Sequence, residues 1–212
     1  MKYSQDDILE LSEKVKLRLS EKRFKHTLSV LDAAKRIGSF FSEIDLSELS
    51  CAALLHDVTK ELSYDEQIAL FEESEYELSE EDRETSAILH SLSAPIVIKC
   101  DFIKFATPNI LSAVENHTTG YAGMSIFEKI IFIADYVEDT RTYETCIAVR
   151  KDLYDALSDK KTLRQNENAL DRAVYMSLEF TEKSILKQGR VPNSRSNEAK
   201  KDIADRLNLN LI

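Results

Sequence analysis

The sequence predicts an all-α protein built as one domain. The 212 residues include only four glycines and three prolines, so few positions interrupt a helix. Apolar residues recur at helical spacing in most segments of the chain. A chain of this length with 43% hydrophobic residues can form one full core but is short for two.

The N-terminal part predicts two helices. Residues 4–20 place apolar side chains at helical spacing behind a Ser-x-x-Asp start. Residues 23–41 repeat the pattern, and His26 lies on the apolar stripe four residues before Val30. A lone histidine in such a place is more often a core side chain than a metal ligand, so both interpretations stay open at this point.

The third predicted helix begins with a capping-box pattern at 45–48 and ends where an apolar run meets His56, Asp57 and Lys60. Adjacent residues on a helical turn point about 100° apart, so the His-Asp pair can offer a nitrogen and an oxygen to one ion. Lys60 returns to the same face, where its ammonium could hold a phosphate oxygen. A single His-Asp pair is also common on surfaces and in cores, and that alternative stays open.

Residues 63–75 form the next predicted helix, behind a second capping-box pattern. The acidic run at 72–84 is interpreted as a solvated face or loop, and no role is assigned to it. The segment that follows His90 contains a β-branched run compatible with a strand or a helix. We predict a helix with Pro95 in its first turn.

A Thr-Pro pair at 107–108 predicts the start of a helix that reaches His117. The loop 118–123 holds two of the four glycines, which would let backbone amides approach a ligand. A capping box at 125–128 opens a helix on which Asp135 points to the core side. A buried carboxylate needs an arginine, amide donors or a cation, so a salt bridge and a metal site both stay open.

The C-terminal part predicts a long helix over 162–187 that ends at a glycine. The loop 189–195 then brings Arg190 and Arg195 together. Such a basic loop usually faces solvent, and contact with an anionic ligand is the alternative. Residues 197–209 predict a short amphipathic helix.

The net charge of −10 and the pI near 5.0 disfavour nucleic acid and anionic membranes as partners, because both require a basic surface. The start of the chain is polar and acidic, and no window of eighteen uncharged apolar residues follows, so we expect neither secretion nor membrane insertion. The three cysteines form no C-x-x-C pattern and indicate reduced thiols, which fits the cytoplasm. They are Cys51, Cys100 and Cys146.

All histidines of the chain fall at or near the inward side or the end of a predicted helix, as do two carboxylates. These residues are His26, His56, His90, His117, Asp57 and Asp135. Imidazole nitrogens and carboxylate oxygens suit iron, manganese, cobalt or zinc, and helices converging in a bundle can build one or two metal positions. No cysteine lies near this pattern, which argues against a structural zinc site.

The order of these residues resembles the HD superfamily of metal-dependent phosphohydrolases, which has His, then His-Asp, then further histidines, then Asp. The chain is similar in particular to the YqeK-type symmetrical diadenosine tetraphosphate hydrolases of bacteria. The motifs that carry the resemblance are His26-Thr27, Ala53 to Lys60, His117 to Gly120, Gly123 to Ser125, and Glu128 to Tyr136.

The resemblance implies a single HD-domain helical bundle with a C-terminal helical extension. Residues 1–22 would be an N-terminal helix packing on the domain, 23–141 the HD core, and 142–212 the C-terminal helices and basic loop that complete the same domain. The implied activity is metal-dependent cleavage of diadenosine tetraphosphate into two ADP. A hydroxide activated by the metal would attack an inner phosphorus.

By position in the family, the metal ligands would be His26, His56, Asp57 and Asp135. The ion would be divalent or trivalent, with iron as the first choice, manganese or cobalt as alternatives, and a second metal at His90 and His117 as a further option. The residues implied in catalysis are Asp57, Lys60, His90, His117 and Arg141. Substrate contacts are assigned to His26, Lys60, His90, His117, Thr118 and Arg141, and to Arg190 and Arg195 of the basic loop.

Two other functions stay open. A different HD-type phosphohydrolase would keep the metal ligands and act on another nucleotide, whereas a non-catalytic nucleotide sensor would bind ADP without turnover. The expected partner in every case is a small nucleotide. A monomer and a homodimer are both compatible with the sequence.

Overall fold

The computed structural model describes residues 1–209, which form eleven α-helices joined by short 3₁₀ turns and loops and contain no strand. The all-α fold class is therefore confirmed. Residues 210–212, which the sequence assigns to the C-terminal part, lie outside the described residues. The helices are α1 (Gln5–Lys16), α2 (Glu21–Gly38), α3 (Leu46–Leu55), α4 (Tyr64–Glu72), α5 (Glu80–Glu84), α6 (Leu89–Asp101), α7 (Pro108–Asn116), α8 (Ile126–Val137), α9 (Glu144–Ala156), α10 (Leu163–Lys187) and α11 (Ser194–Arg206).

The hydrophobic core lies between α2, α3, α7 and α8, which pack on one another. From α8, the side chains of Ile130, Ile131 and Ile133 are fully buried. α1 covers α3, α6 lies on α7, and α10 packs on both α8 and α9. A smaller apolar cluster fills the space between α4 and α6. Within the described residues, no helix is both long and apolar enough to cross a membrane.

Polar side chains fix the starts of most helices as the sequence predicts. Ser4, Ser63, Ser125 and Thr162 each form a complete capping box, in which cap and third residue exchange hydrogen bonds. At α3 only half of the predicted box forms. Asp45 accepts from the first turn, but the carboxylate of Glu48 binds side chains elsewhere.

Two helices differ from the prediction because their starts lack a side-chain cap. α6 begins at Leu89, directly after a 3₁₀ turn, so Pro95 lies inside the helix and its placement in the first turn was wrong. α9 was not predicted. Its buried residues are few and its N-cap residue is Tyr143, which gives no polar start signal.

The acidic side chains of the run are exposed, as predicted for a solvated segment, with one exception. The run contains α5, and Asp82 of that helix is buried. Ser194 donates its backbone N–H and its hydroxyl to Glu81, while Arg195 donates to Asp82. These bonds tie the acidic segment to the basic loop, so that α11 begins at Ser194, three residues earlier than predicted.

Candidate metal centre and active site

The four predicted metal ligands come together where α3 ends, beside α2 and α8. His56 and Asp57 directly follow the last residue of α3, and His56 keeps helical backbone angles, so the pair lies at the end of this helix. Asp57 Oδ2 lies 3.4 Å from His56 Nε2 and 3.6 Å from His26 Nε2. Asp135 Oδ1 lies 3.0 Å from the same nitrogen of His26.

The other oxygen of Asp57 faces the two remaining histidines. Asp57 Oδ1 lies 3.4 Å from His90 Nε2 and 3.7 Å from His117 Nε2. The two imidazole nitrogens are themselves 3.2 Å apart. Asp57 therefore lies between two pairs of histidines, and all six residues of the predicted constellation form one cluster.

Three of these imidazoles are oriented by a partner on Nδ1. His56 Nδ1 donates to the Ala53 carbonyl and His117 Nδ1 to the Val114 carbonyl, both at 2.7 Å. In each case the acceptor lies three residues earlier, in the last turn of the preceding helix. A proton on Nδ1 leaves the lone pair of Nε2 free to bind a metal ion.

Glu138 orients His26 in the same way, a role that was not predicted. Its carboxylate lies 3.2 Å from His26 Nδ1 and also accepts from the backbone N–H and hydroxyl of Thr140. The side chain is only 1% exposed. An acidic residue three positions after Asp135 at the end of α8 was the available signal in the sequence.

The residues present fit a metal ion. The Nε2 atoms of His26 and His56 are buried and make no hydrogen bond within the described residues. The nearby carboxylate oxygens approach them at 3.0 to 3.4 Å without hydrogen-bond alignment. Unpaired buried nitrogens are costly, and a cation among them would satisfy these lone pairs. Two overlapping sets of three side chains have ligand atoms close enough together to hold one ion. They are His26, His56, Asp135 and His56, Asp57, His117.

The electrostatics of the cluster favour a cation. Burial alone would raise the pKa of Asp57 and Asp135, but neighbouring imidazoles and Arg141 outweigh it and hold both pKa values well below the ordinary range. Burial lowers the pKa of His26, yet Asp135 and Glu138 outweigh that effect and raise it to about 9. The carboxylates thus remain ionised and attract positive charge.

Lys60 and Thr118 both lie next to His90, at one side of the cluster. Lys60 Nζ lies 3.2 Å from both ring nitrogens of His90, and Thr118 Oγ1 lies 3.3 Å from His90 Nε2. Burial lowers the pKa of His90 well below its usual value and also lowers the pKa of Lys60. Both shifts have burial as their largest cause, and a neutral imidazole at this position can accept a hydrogen bond from Lys60 through one of its two nitrogens.

Two arginines approach the ligand carboxylates, and of these only Arg141 was predicted. Arg141 donates to the carbonyl and to Oδ1 of Asp135, at 2.7 and 2.6 Å. Arg23 donates to Asp57 Oδ2 at 3.0 Å. Arg23 lies three residues before His26, on the same face of α2, and that spacing could have identified it.

The structure does not bring Arg190 and Arg195 to the histidines. Arg195 donates to Asp82 at 2.6 Å. Arg190 donates to Gln188 and lies at the edge of a cavity of about 870 Å³ that Thr118 also lines. The basic loop therefore borders a neighbouring cavity, and the arginines nearest the metal ligands belong to other segments.

Comparison with known proteins agrees with this geometry. The HD domain family matches residues 23–140. A Staphylococcus aureus protein named "Bis(5'-nucleosyl)-tetraphosphatase, symmetrical" is 29% identical over 173 residues, which cover 81% of this chain and 79% of the relative. A protein of the same name from Halalkalibacterium halodurans is 31% identical over 138 residues, covering 64% and 71% of the two chains.

A solved structure shares the fold over nearly the whole length. It is the crystal structure of a protein from Clostridium acetobutylicum described as a predicted HD superfamily hydrolase involved in NAD metabolism. The TM-score is 0.81 at 32% sequence identity, with 96% of this chain and 98% of the other covered. With its His-Asp cluster inside the matched segment, the chain belongs to the HD domain family and groups there with the bacterial symmetrical bis(5'-nucleosyl)-tetraphosphatases.

Proposed function

We propose that this protein hydrolyses diadenosine tetraphosphate symmetrically into two ADP. The observation that carries the proposal is the cluster of four histidines around Asp57, three of them buried, in a chain whose relatives bear the name of this activity. A small polyphosphate substrate is also compatible with the net charge of −10. A small anion needs positive charge only locally, and the arginines and lysine near the cluster supply it.

The metal would be held by His26, His56, Asp57 and Asp135, with iron as the first choice and manganese or cobalt as alternatives. His90 and His117 would supply nitrogens for a second ion. Metal ions in such sites lower the pKa of a water molecule and polarise a phosphate oxygen. Asp57 would contribute to either site, since its two oxygens face different histidines.

The protein's own residues would bind and stabilise the polyphosphate as a P–O bond breaks. Lys60 presents a half-buried ammonium, which lies next to His90. Arg141 fixes Asp135 through two hydrogen bonds and retains exposed surface for a phosphate oxygen. Thr118 adds a hydroxyl next to His90. Together these groups offset the negative charge that develops on the oxygens of the phosphoryl group and of the departing ADP.

Product analysis in water enriched in heavy oxygen tests the proposal. We expect ADP as the only nucleotide product, with a single label on the terminal phosphate of one of the two ADP molecules formed. A water molecule that attacks an inner phosphorus directly delivers its oxygen there, and no covalent enzyme intermediate is required. ATP and AMP as products would exclude symmetrical cleavage, and the absence of turnover with iron, manganese or cobalt would exclude this substrate.

A second candidate is hydrolysis of another nucleotide by the same centre, because the Clostridium acetobutylicum protein is described as involved in NAD metabolism. A panel that includes NAD and nucleoside monophosphates and diphosphates separates the two candidates by kcat/KM. Location in the reducing cytoplasm belongs to the proposal as well. It is supported by the free thiols of Cys51, Cys100 and Cys146.

A further inference from the structure

A groove opens beside the histidine cluster, between the start of α2 and the segment that joins α8 to α9. Its volume is about 490 Å³, which suits a small-molecule site. His26 lines it, so the groove reaches the proposed metal ligands directly. Lys22, Arg23, Arg141 and Tyr143 line it as well.

The groove concentrates positive charge in an acidic protein. The Arg23 and Arg141 side chains are 31% and 32% exposed, although each also donates to a ligand carboxylate. A guanidinium carries five N–H groups, and Arg23 uses one of them on Asp57. Both arginines can therefore bind phosphate while they hold the carboxylates. The exposed acid in the groove is Glu61, whose two oxygens already accept from Ser20.

The same groove contains an exposed aromatic ring. Tyr143 lies directly before α9 and is 71% exposed. A single exposed aromatic side chain is ordinary on a protein surface. Here, however, it lines one groove with three cationic side chains, within the space that a nucleotide would fill. A base can stack on such a ring while its phosphates reach the arginines.

We propose that this groove is the subsite for one nucleoside diphosphate half of the substrate. Arg23 and Arg141 bind the phosphates next to the metal ligands, and Tyr143 stacks on the base. The inference rests on the proposed function for the identity of the substrate. It keeps the substrate contact that the resemblance assigned to Arg141, adds Arg23 and Tyr143, and assigns no contact in this subsite to Arg190 or Arg195.

Calorimetric titration of the metal-loaded protein tests the subsite with two probes, ADP and inorganic pyrophosphate. Tyr143→Ala is expected to raise the Kd of ADP roughly 5- to 100-fold, the range for loss of one aromatic stack, and to leave the Kd of pyrophosphate unchanged. Tyr143→Phe keeps the ring and should bind ADP like the wild type. Arg23→Ala is expected to weaken both probes, because it removes a phosphate contact. Metal content is measured for every variant.

Tyr64→Ala is the matched control. Tyr64 is the other strongly exposed tyrosine of the described chain, at 44%, and it lines a separate cavity next to Lys60 and His90. An unchanged ADP affinity in Tyr143→Ala, or a loss in Tyr64→Ala alone, would overturn the assignment, as would the absence of ADP binding by the wild type.

Cleavage of diadenosine tetraphosphate with no role for Tyr143 would reject the subsite and leave the proposed function standing. Tyr143-dependent ADP binding without such cleavage would do the reverse.

Discussion

Asp57 connects the two halves of the candidate metal centre, because each of its oxygens faces a different pair of histidines. We expect His56→Ala and Asp57→Ala to lose bound metal and activity together. Removal of one ligand opens the site and leaves the other ligands to repel one another. Metal analysis and a turnover assay check this, with circular dichroism to show that the helices persist. Asp155→Ala, which removes an exposed carboxylate paired with Lys151, is the control. Normal metal content in either site variant would contradict the assignment.

Lys60 contacts His90 and none of the proposed ligands of the first metal position. Lys60→Ala should therefore retain the metal and lose rate, with a fall in kcat/KM of roughly tenfold to a thousandfold, or about 1.4 to 4 kcal/mol. Lys60→Arg keeps a cation and should retain part of the rate. If Lys60→Ala turns over substrate at the wild-type rate, the lysine does not contact the phosphates.

At the scale of single residues, the sequence identified the histidines and carboxylates through their order, but it missed Arg23 and Glu138. The histidines are rare, so their pattern is visible in the chain itself. Arg23 and Glu138 belong to common residue types, and their roles depend on which ligand each one contacts across the bundle. Such contacts follow from tertiary packing, which spacing alone does not determine.

Among the helices, α8 carries the clearest start signal and the ligand Asp135. Ser125 and Glu128 exchange hydrogen bonds in its capping box. Ser125→Ala should lower the free energy of unfolding by about 1 kcal/mol, because the first turn loses an acceptor. Urea unfolding measures the change, and Ser125→Thr, which retains the hydroxyl, is the control. Equal stability of Ser125→Ala and the wild type would show that the cap contributes nothing.

Element prediction succeeded where local side chains mark a boundary and failed where they do not. Thr107 and Thr162 are the N-cap residues of α7 and α10, at the starts that the sequence predicts. α9 has no side-chain cap and presents only Cys146, Val149 and Leu153 to the interior. Its position is determined by packing on α8 and α10.

On the scale of the whole molecule, Glu48 links three distant parts of the chain. Its carboxylate accepts from Lys2 near the N-terminus and from Thr107 and Asn109 at the start of α7. Burial raises the pKa of Glu48, but these donors outweigh it and hold the pKa below the ordinary 4.5. The stabilisation from these bonds is therefore complete above pH 4.5 and is lost as the pH falls through the lowered pKa of the folded state.

Glu48→Gln should reduce the free energy of unfolding at pH 7 by about 1.5–3 kcal/mol, the range for hydrogen bonds to a charged group. The difference from the wild type should shrink as the pH falls from 4.5 through the lowered pKa of the folded state, since the carboxylate becomes protonated over that range. Chemical unfolding curves across that range provide the measurement. A difference that stays constant down to the lowest pH at which both proteins fold would show that the charge of Glu48 is irrelevant.

Three helices end at the candidate metal centre. α3 stops directly before His56, α7 directly before His117, and α8 two residues after Asp135. The aligned peptide dipoles of a helix leave roughly half a negative charge at its C-terminal end. The backbone therefore makes this place attractive to a cation, and unattractive to a phosphate, before any side chain is counted. Replacement of one carboxylate would weaken the preference for a cation without reversing it. Only a metal ion together with Arg23, Lys60 and Arg141 can make the same place receptive to a polyphosphate.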